Sequence, residues 1–75
     1  MNLCIDQGNS RTKVALMTDE GTMINQFIYK SFSSADVERL LDLYDIRDSI
    51  ISSVVNIEPA IVNTLHRRSQ HFVLF

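Results

Sequence analysis

The sequence predicts a small α/β domain built on one mixed β-sheet. Three strand-like segments separated by short polar turns come first, and two helix-like segments with a single apolar stripe follow them. Each helix-like segment leads into another apolar, strand-like segment, which is typical of parallel strands reached by a crossover. A chain of 75 residues is long enough for one such domain and too short for two.

The first predicted strand covers residues 2–6. Leu3, Cys4 and Ile5 are all apolar, a pattern typical of a central strand that is covered on both faces. Cys4 is the only cysteine, so the chain cannot form an internal disulfide. We therefore expect the Cys4 thiol to act as an inert, small apolar group in the core.

Two more strands complete a predicted antiparallel meander. Residues 12–18 follow a short polar gap that contains Gly8, which favours a hairpin with the first strand. A second turn around Gly21 leads into residues 23–30, where Phe27 and Tyr29 share one face. Polar residues interrupt this third strand, so we expect it to be less buried.

The clearest predicted helix begins at Ser33 or Ser34, either of which can cap it. Its apolar residues recur at the helical spacing i, i+3, i+4 and i+7: Val37, Leu40, Leu41 and Tyr44. Residues 49–55 follow this helix and are β-branched and apolar apart from their serines, which predicts a parallel strand reached by a crossover.

The second predicted helix begins at Pro59, and Arg67 and Arg68 suit its negative C-terminal end. Residues 71–75 predict a last strand, so the order is β-β-β-α-β-α-β. This order resembles the ribonuclease H-like lobe of actin-like ATPases. Because the sequence stops at Phe75 inside an apolar segment, we expect residues 1–75 to be a truncated N-terminal lobe whose second lobe is absent.

Composition argues against several classes of function. The net charge is −2 and the basic residues are scattered, so the sequence predicts no nucleic-acid partner. No secretory signal and no apolar run of membrane-spanning length is visible, which predicts a cytoplasmic protein without membrane contact. His66 and His71 have no Cys or His partner at a spacing typical of zinc sites.

The turn between the first two strands carries the residues best suited to chemistry. Its segment consists of Asp6, Gln7, Gly8, Asn9, Ser10, Arg11, Thr12 and Lys13. Gly8 permits a positive φ, and the successive amides of residues 8–11 could converge on phosphate oxygens. Lys13 can neutralise the charge of a phosphate. The Asp6 carboxylate would repel that phosphate unless Mg²⁺ or a water lay between them. An ordinary Asx turn at Asp6 and Asn9 remains an alternative.

Residues 3–13, LCIDQGNSRTK, resemble the opening signature of type III pantothenate kinases, an apolar strand followed by D-x-G-N-[TS]-x-x-K. Residues 50–55, IISSVV, resemble the I-S-S-V-V segment of that family's fourth strand. Gln7 and Ser10 depart mildly from the family's commoner Ile or Val and Thr. Serine keeps the hydroxyl group, so the expected phosphate binding is retained.

The resemblance implies a function for the whole protein, the phosphorylation of pantothenate to 4'-phosphopantothenate in the first step of coenzyme A biosynthesis. It implies ATP and Mg²⁺, a monovalent cation such as K⁺ or NH₄⁺, and a cytoplasmic homodimer. Asp6 to Lys13 would form the ATP phosphate loop, with Asp6 next to the metal. The family's catalytic base and pantothenate pocket lie near a G-x-D-R motif, which this sequence lacks. We therefore expect no catalytic residue and no kinase activity in this chain alone.

Three alternatives stay open on the sequence alone. The chain could belong to another small-molecule kinase of the same superfamily, or it could be a non-enzymatic interaction or transcriptional accessory module. A ribonuclease H-like nuclease would need further carboxylates close to Asp6. Asn56 follows the fourth strand instead, and Glu58 is explained by its place at a helix start.

Overall fold

A computed structural model describes residues 1–75. Its strands are β1 (Asn2–Gln7), β2 (Thr12–Met17), β3 (Met23–Tyr29), β4 (Asp48–Ser53) and β5 (His71–Leu74). Its helices are α1 (Ser34–Leu43), between β3 and β4, and α2 (Pro59–Arg68), between β4 and β5. The predicted α/β class with a mixed sheet and two helices is confirmed.

The five strands form one sheet with the spatial order β3-β2-β1-β4-β5. β1 pairs antiparallel with β2, and β2 with β3, whereas β1 with β4 and β4 with β5 are parallel pairs. The carboxyl ends of the three parallel strands therefore lie at the same edge of the sheet as the turn between β1 and β2. This edge is where open α/β sheets generally bind ligands.

The fourth strand ends earlier than the sequence predicts. Val54 and Val55 lie outside β4, and Val54 is 73% exposed. Ser53 causes the break, because its hydroxyl donates to the Val55 carbonyl at 2.8 Å and accepts from the Val55 amide at 3.1 Å. These local bonds offer the backbone an alternative to the sheet ladder.

Each helix has an identifiable start. Ser33 caps α1, and the Asp36 carboxylate accepts hydrogen bonds from the Ser33 amide at 2.9 Å and from the Ser33 hydroxyl at 3.2 Å. Pro59 occupies the first turn of α2, where its missing N–H costs nothing. Neither helix is long and apolar enough to cross a membrane.

Both helices pack on the same face of the sheet. Their apolar stripes, the inward residues of β1, β2 and β4, and Phe32 from the connection before α1 make one core of 11 buried side chains: Leu3, Ile5, Val14, Leu16, Phe32, Val37, Leu40, Leu41, Ile51, Ile61 and Leu65. Phe27, Tyr29 and Tyr44 pack against this core while staying partly exposed. The weaker burial expected for the third strand is confirmed.

The opposite face of the sheet carries no helix. The prediction that β1 is covered on both faces is therefore wrong. Cys4, expected in the core, is only half-buried and lies on this uncovered face beside Ile50 of β4. Apolar residues at successive positions of β1 suggest two covered faces, although only Leu3 and Ile5 point into the core.

Candidate functional site

The turn between β1 and β2 is a compact four-residue loop, residues 8–11. Gly8 donates its amide hydrogen to the Arg11 carbonyl at 2.9 Å, which closes the loop. Gly8 does not use the positive φ that glycine permits, and Gly21 is the residue with a positive φ. Glycine suits this position for a different reason: a Cβ here would lie 3.2 Å from the Arg11 carbonyl oxygen, which is a tight contact.

The hydrogen bond from Gly8 to Arg11 also reduces the predicted set of amides that could bind phosphate. The Gly8 amide is already used within the turn, so it is not free for a phosphate oxygen. The amides of Asn9, Ser10 and Arg11 donate to no protein acceptor, and all three residues are exposed. Three adjacent free N–H groups in a tight turn are the kind of donor set that binds anions.

Asp6 and Lys13 lie where the turn meets the uncovered face of the sheet. They are cross-strand partners, and Ser52 of β4 is the partner of Asp6 on its other side. All three side chains are exposed and line a cleft of about 480 Å³. Its apolar lining includes Cys4, Ala15 and Ile50. Of its polar residues, Asp6, Lys13 and Ser52 lie at the end near the turn, and Gln26 lies beside Ala15.

Two of the eight predicted site residues have side chains directed elsewhere. Thr12 is 4% exposed, and by strand alternation it shares the helix-covered face with Val14. Gln7 is half-buried on the same face, and its Oε1 has no hydrogen-bond partner. Gln7 and Thr12 therefore present no side chain to a ligand at the turn, whereas Asp6 and Lys13 do.

Sequence reasoning missed several residues of the cleft. Ser52, Gln26 and Phe75 line it together with Asp6 and Lys13. Ser52 could have been predicted from the sequence. A parallel strand that follows a crossover and pairs with β1 places alternate residues on the same face as Asp6. Gln26 and Phe75 depend on the spatial order of the strands.

The donor set fits a phosphate-bound metal better than a metal held by protein alone. No cluster of three or more His, Cys, Asp or Glu side chains exists in the chain, and Asp6 is the one carboxylate in the cleft. Mg²⁺ is commonly bound through one or two carboxylates together with substrate phosphates and waters. Burial raises the pKa of the Cys4 thiol, which keeps it protonated and unsuited to nucleophilic chemistry.

Comparison with known proteins gives a limited result. No protein-family model matches the chain. The chain is similar to type III pantothenate kinases. Two such proteins, from two strains of Bacteroides fragilis, are 35% identical to it over 68 residues, which cover 89% of this chain. The chain spans only 27% of the length of these relatives. The similarity indicates a kinase-related chain.

Proposed function

We propose that this chain is the ATP phosphate-binding part of a type III pantothenate kinase, with the fold of a ribonuclease H-like N-terminal lobe. The observation that carries the proposal is the turn from Asp6 to Lys13, which combines three free amides, an unpaired ammonium group and a carboxylate. The turn lies at the sheet edge where the parallel strands end. The strand order and the 35% identity to pantothenate kinases support the same function.

Each group in the turn has a distinct task in this proposal. The amides of Asn9, Ser10 and Arg11 would donate to phosphate oxygens, with the hydroxyl of Ser10 and the side-chain amide of Asn9 as further donors. Lys13 would balance phosphate charge as a compact cation. Asp6 would hold Mg²⁺ directly or through a water, and the metal would supply charge neutralisation between the phosphates.

The rest of the reaction belongs to the whole protein. In this proposal the full-length kinase is a cytoplasmic homodimer that phosphorylates pantothenate, and it also uses K⁺ or NH₄⁺. Phosphoryl transfer depends on positioning both the donor and the acceptor. The turn can position only the donor, so the 75-residue chain by itself should not phosphorylate pantothenate.

Nucleotide titration followed by amide NMR tests the proposal. We expect Mg-ATP to shift the signals of Asn9, Ser10, Arg11 and Lys13, and the shifts to weaken when EDTA removes Mg²⁺. Amides on α1 report on non-specific effects and should not move. Unchanged spectra at saturating millimolar Mg-ATP would refute phosphate binding at this turn.

A non-enzymatic interaction module is the second candidate. The uncovered sheet face favours it, since Ile28 is 60%, Val73 50% and Phe75 81% exposed. Exposed apolar patches often mark interaction surfaces. An interaction module has no reason to prefer ATP with Mg²⁺, so the same titration separates the two candidates.

A further inference from the structure

Ser52 is the residue of β4 that lies beside Asp6. The two are direct partners in the parallel pairing of β1 with β4, and by strand alternation both side chains are on the uncovered face. Lys13 is the partner of Asp6 on its other side, so the sheet carries an ammonium group, a carboxylate and a hydroxyl in that order next to the turn. The strand registers fix this order, which does not depend on what covers the rest of the sheet face.

The two serines at the end of β4 use their hydroxyl groups differently. The Ser53 hydroxyl is bonded to the Val55 carbonyl and amide, which ends the strand. The Ser52 hydroxyl forms no hydrogen bond within the chain, and neither does the Asp6 carboxylate. Ser52 therefore has no part in ending the strand, and its hydroxyl is free for a ligand beside Asp6.

The distance between Ser52 and Lys13 decides which part of a bound nucleotide Ser52 can contact. Adjacent strands lie ~4.8 Å apart, so the backbones at Lys13 and Ser52 are about 10 Å apart, with Asp6 between them. Lys13 and the free amides of residues 9–11 are the groups that attract phosphate oxygens. Ser52 lies on the opposite side of Asp6, where its hydroxyl is close to whatever the Asp6 carboxylate holds.

A hydrated metal ion suits this pair of oxygens. Mg²⁺ keeps several waters in protein sites and is commonly held by one or two carboxylates together with substrate phosphates. Asp6 is the one carboxylate in the cleft, so Mg²⁺ held there would keep waters of its own. A serine hydroxyl has two acceptor lone pairs and can take a hydrogen bond from such a water.

We propose that Ser52 is a positioning residue for the metal of the phosphate site, and that its hydroxyl accepts a hydrogen bond from a water bound to Mg²⁺ beside Asp6. This role rests on the proposed function and adds a second protein group on the metal side of the same site. Lys13 and the turn amides bind phosphate with or without the metal. Ser52 contributes to binding only when the nucleotide carries Mg²⁺.

Ser52→Thr and Ser52→Val are the matched pair that tests the hydroxyl. Both side chains are β-branched and suit a strand, so the two variants differ chiefly in one hydroxyl group. In calorimetric titration with Mg-ATP, Ser52→Thr should stay within about twofold of the parent, and Ser52→Val should bind about 3- to 10-fold more weakly. With EDTA in place of Mg²⁺, the two variants should bind ATP equally. Circular dichroism of both variants must match the parent.

Manganese locates the metal without any substitution. Mn²⁺ takes the same oxygen ligands as Mg²⁺, and its unpaired electrons broaden the NMR signals of nearby nuclei. Small amounts of Mn-ATP added to the parent chain should broaden the amide signals of residues 51–53 at least as strongly as those of residues 12–14. Stronger broadening of residues 12–14 would put the metal on the Lys13 side of Asp6 and would overturn the proposal. This measurement decides the matter even if Ser52→Val does not fold.

Three results of the titrations would contradict this role, and they separate it from the proposed function. If Mg-ATP moves no amide signal of residues 9–11 in the parent chain, the phosphate site and the role of Ser52 both fail. If Mg-ATP moves those signals and binds Ser52→Val as tightly as Ser52→Thr, the phosphate site stands and Ser52 has no part in it. If Ser52→Val loses the same affinity with and without Mg²⁺, the hydroxyl contacts phosphate and not the hydrated metal.

Discussion

Asp6 of β1 and Lys13 of β2 are direct cross-strand partners, and no ion pair joins them. Both side chains are exposed on the uncovered face, where an opposite-charge pair would gain little from closing. The Lys13 ammonium therefore keeps its charge available for another anion. Asp6 likewise keeps a free carboxylate beside the turn.

Lys13→Ala should weaken Mg-ATP binding about 10- to 100-fold, because one charge-assisted contact to phosphate is lost. Stability should change by no more than about 0.5 kcal/mol, since the Lys13 side chain is exposed and unpaired. Isothermal titration calorimetry measures the first effect and urea unfolding the second. Lys30→Ala, at an exposed residue just after β3, is the control and should leave affinity unchanged. Equal effects of the two substitutions would contradict a specific role for Lys13.

Gly8→Ala should destabilise the chain by about 1 kcal/mol and should also lower affinity for Mg-ATP. The new Cβ would lie 3.2 Å from the Arg11 carbonyl oxygen, the same atom that accepts the Gly8 amide at 2.9 Å. The Arg11 carbonyl must shift by a few tenths of an ångström to relieve this contact, which disturbs the free amides of residues 9–11. Urea unfolding and nucleotide titration measure the two effects.

Gly21→Ala separates backbone strain from loss of the binding turn. Gly21 has φ of 90°, and a Cβ added there would meet no atom within 4 Å, so only the backbone conformation opposes a side chain. We expect a similar loss of about 1 kcal/mol with unchanged affinity for Mg-ATP. If Gly8→Ala also leaves affinity unchanged, the turn does not bind phosphate as proposed.

Much of the fold could be predicted because local patterns and tertiary packing agree. The i, i+3, i+4 spacing in α1 and the cap at Ser33 are decided within the helix itself. The end of β4 could not be predicted, because a side chain of Ser53 competes with the ladder for the Val55 backbone. The uncovered face was missed for a different reason, since Cys4 is apolar whether or not a helix covers it.

For the candidate site, the sequence predicts which residues form the turn but not their orientation. The hydrogen bond from Gly8 to Arg11 depends on the length of the loop, and it removes one of the four expected donors. Thr12 belongs to the site segment and is nevertheless a buried residue of the covered face. Ser52 joins the cleft through strand order, which no local motif encodes.

The pairing of α1 with α2 should depend on a charge network around Arg68. Arg68 bonds to Glu38 and, at 2.8 Å, to Asp42, while Arg67 contacts Glu38 at 3.0 Å. The hydrogen bonds to Asp42 and to Glu38 raise the pKa of Arg68, which is charged at any working pH. A double-mutant cycle with Glu38→Gln and Arg68→Met should give a small favourable coupling in urea unfolding, because both side chains stay partly exposed to solvent. About 1 M NaCl should reduce it, and a coupling that salt leaves unchanged would indicate packing instead of charge.

The edge strand β5 should carry a small acid-sensitive contribution to stability through Asp48. His71 Nδ1 lies 2.9 Å from Asp48 Oδ1, and this hydrogen bond, helped by Arg47, lowers the pKa of Asp48. A lowered pKa in the folded state means that the contribution is present above the unfolded pKa, about 4, and is lost as the pH falls through the folded value. The stability advantage of the parent over Asp48→Asn should therefore be present at neutral pH and decrease as the pH falls through the lowered pKa of Asp48.

Carbon-detected NMR titration of the Asp48 carboxyl group tests what lowers its pKa. His71→Gln should move the pKa of Asp48 back towards its ordinary value, because the largest cause of the shift is removed. His66→Gln is the matched control, since His66 lies on α2 with its ring against Phe72 and has no contact with Asp48. If His71→Gln leaves the titration of Asp48 unchanged, the hydrogen bond from His71 does not cause the lowered pKa. The His71–Asp48 pair would then make no acid-sensitive contribution to the stability of β5.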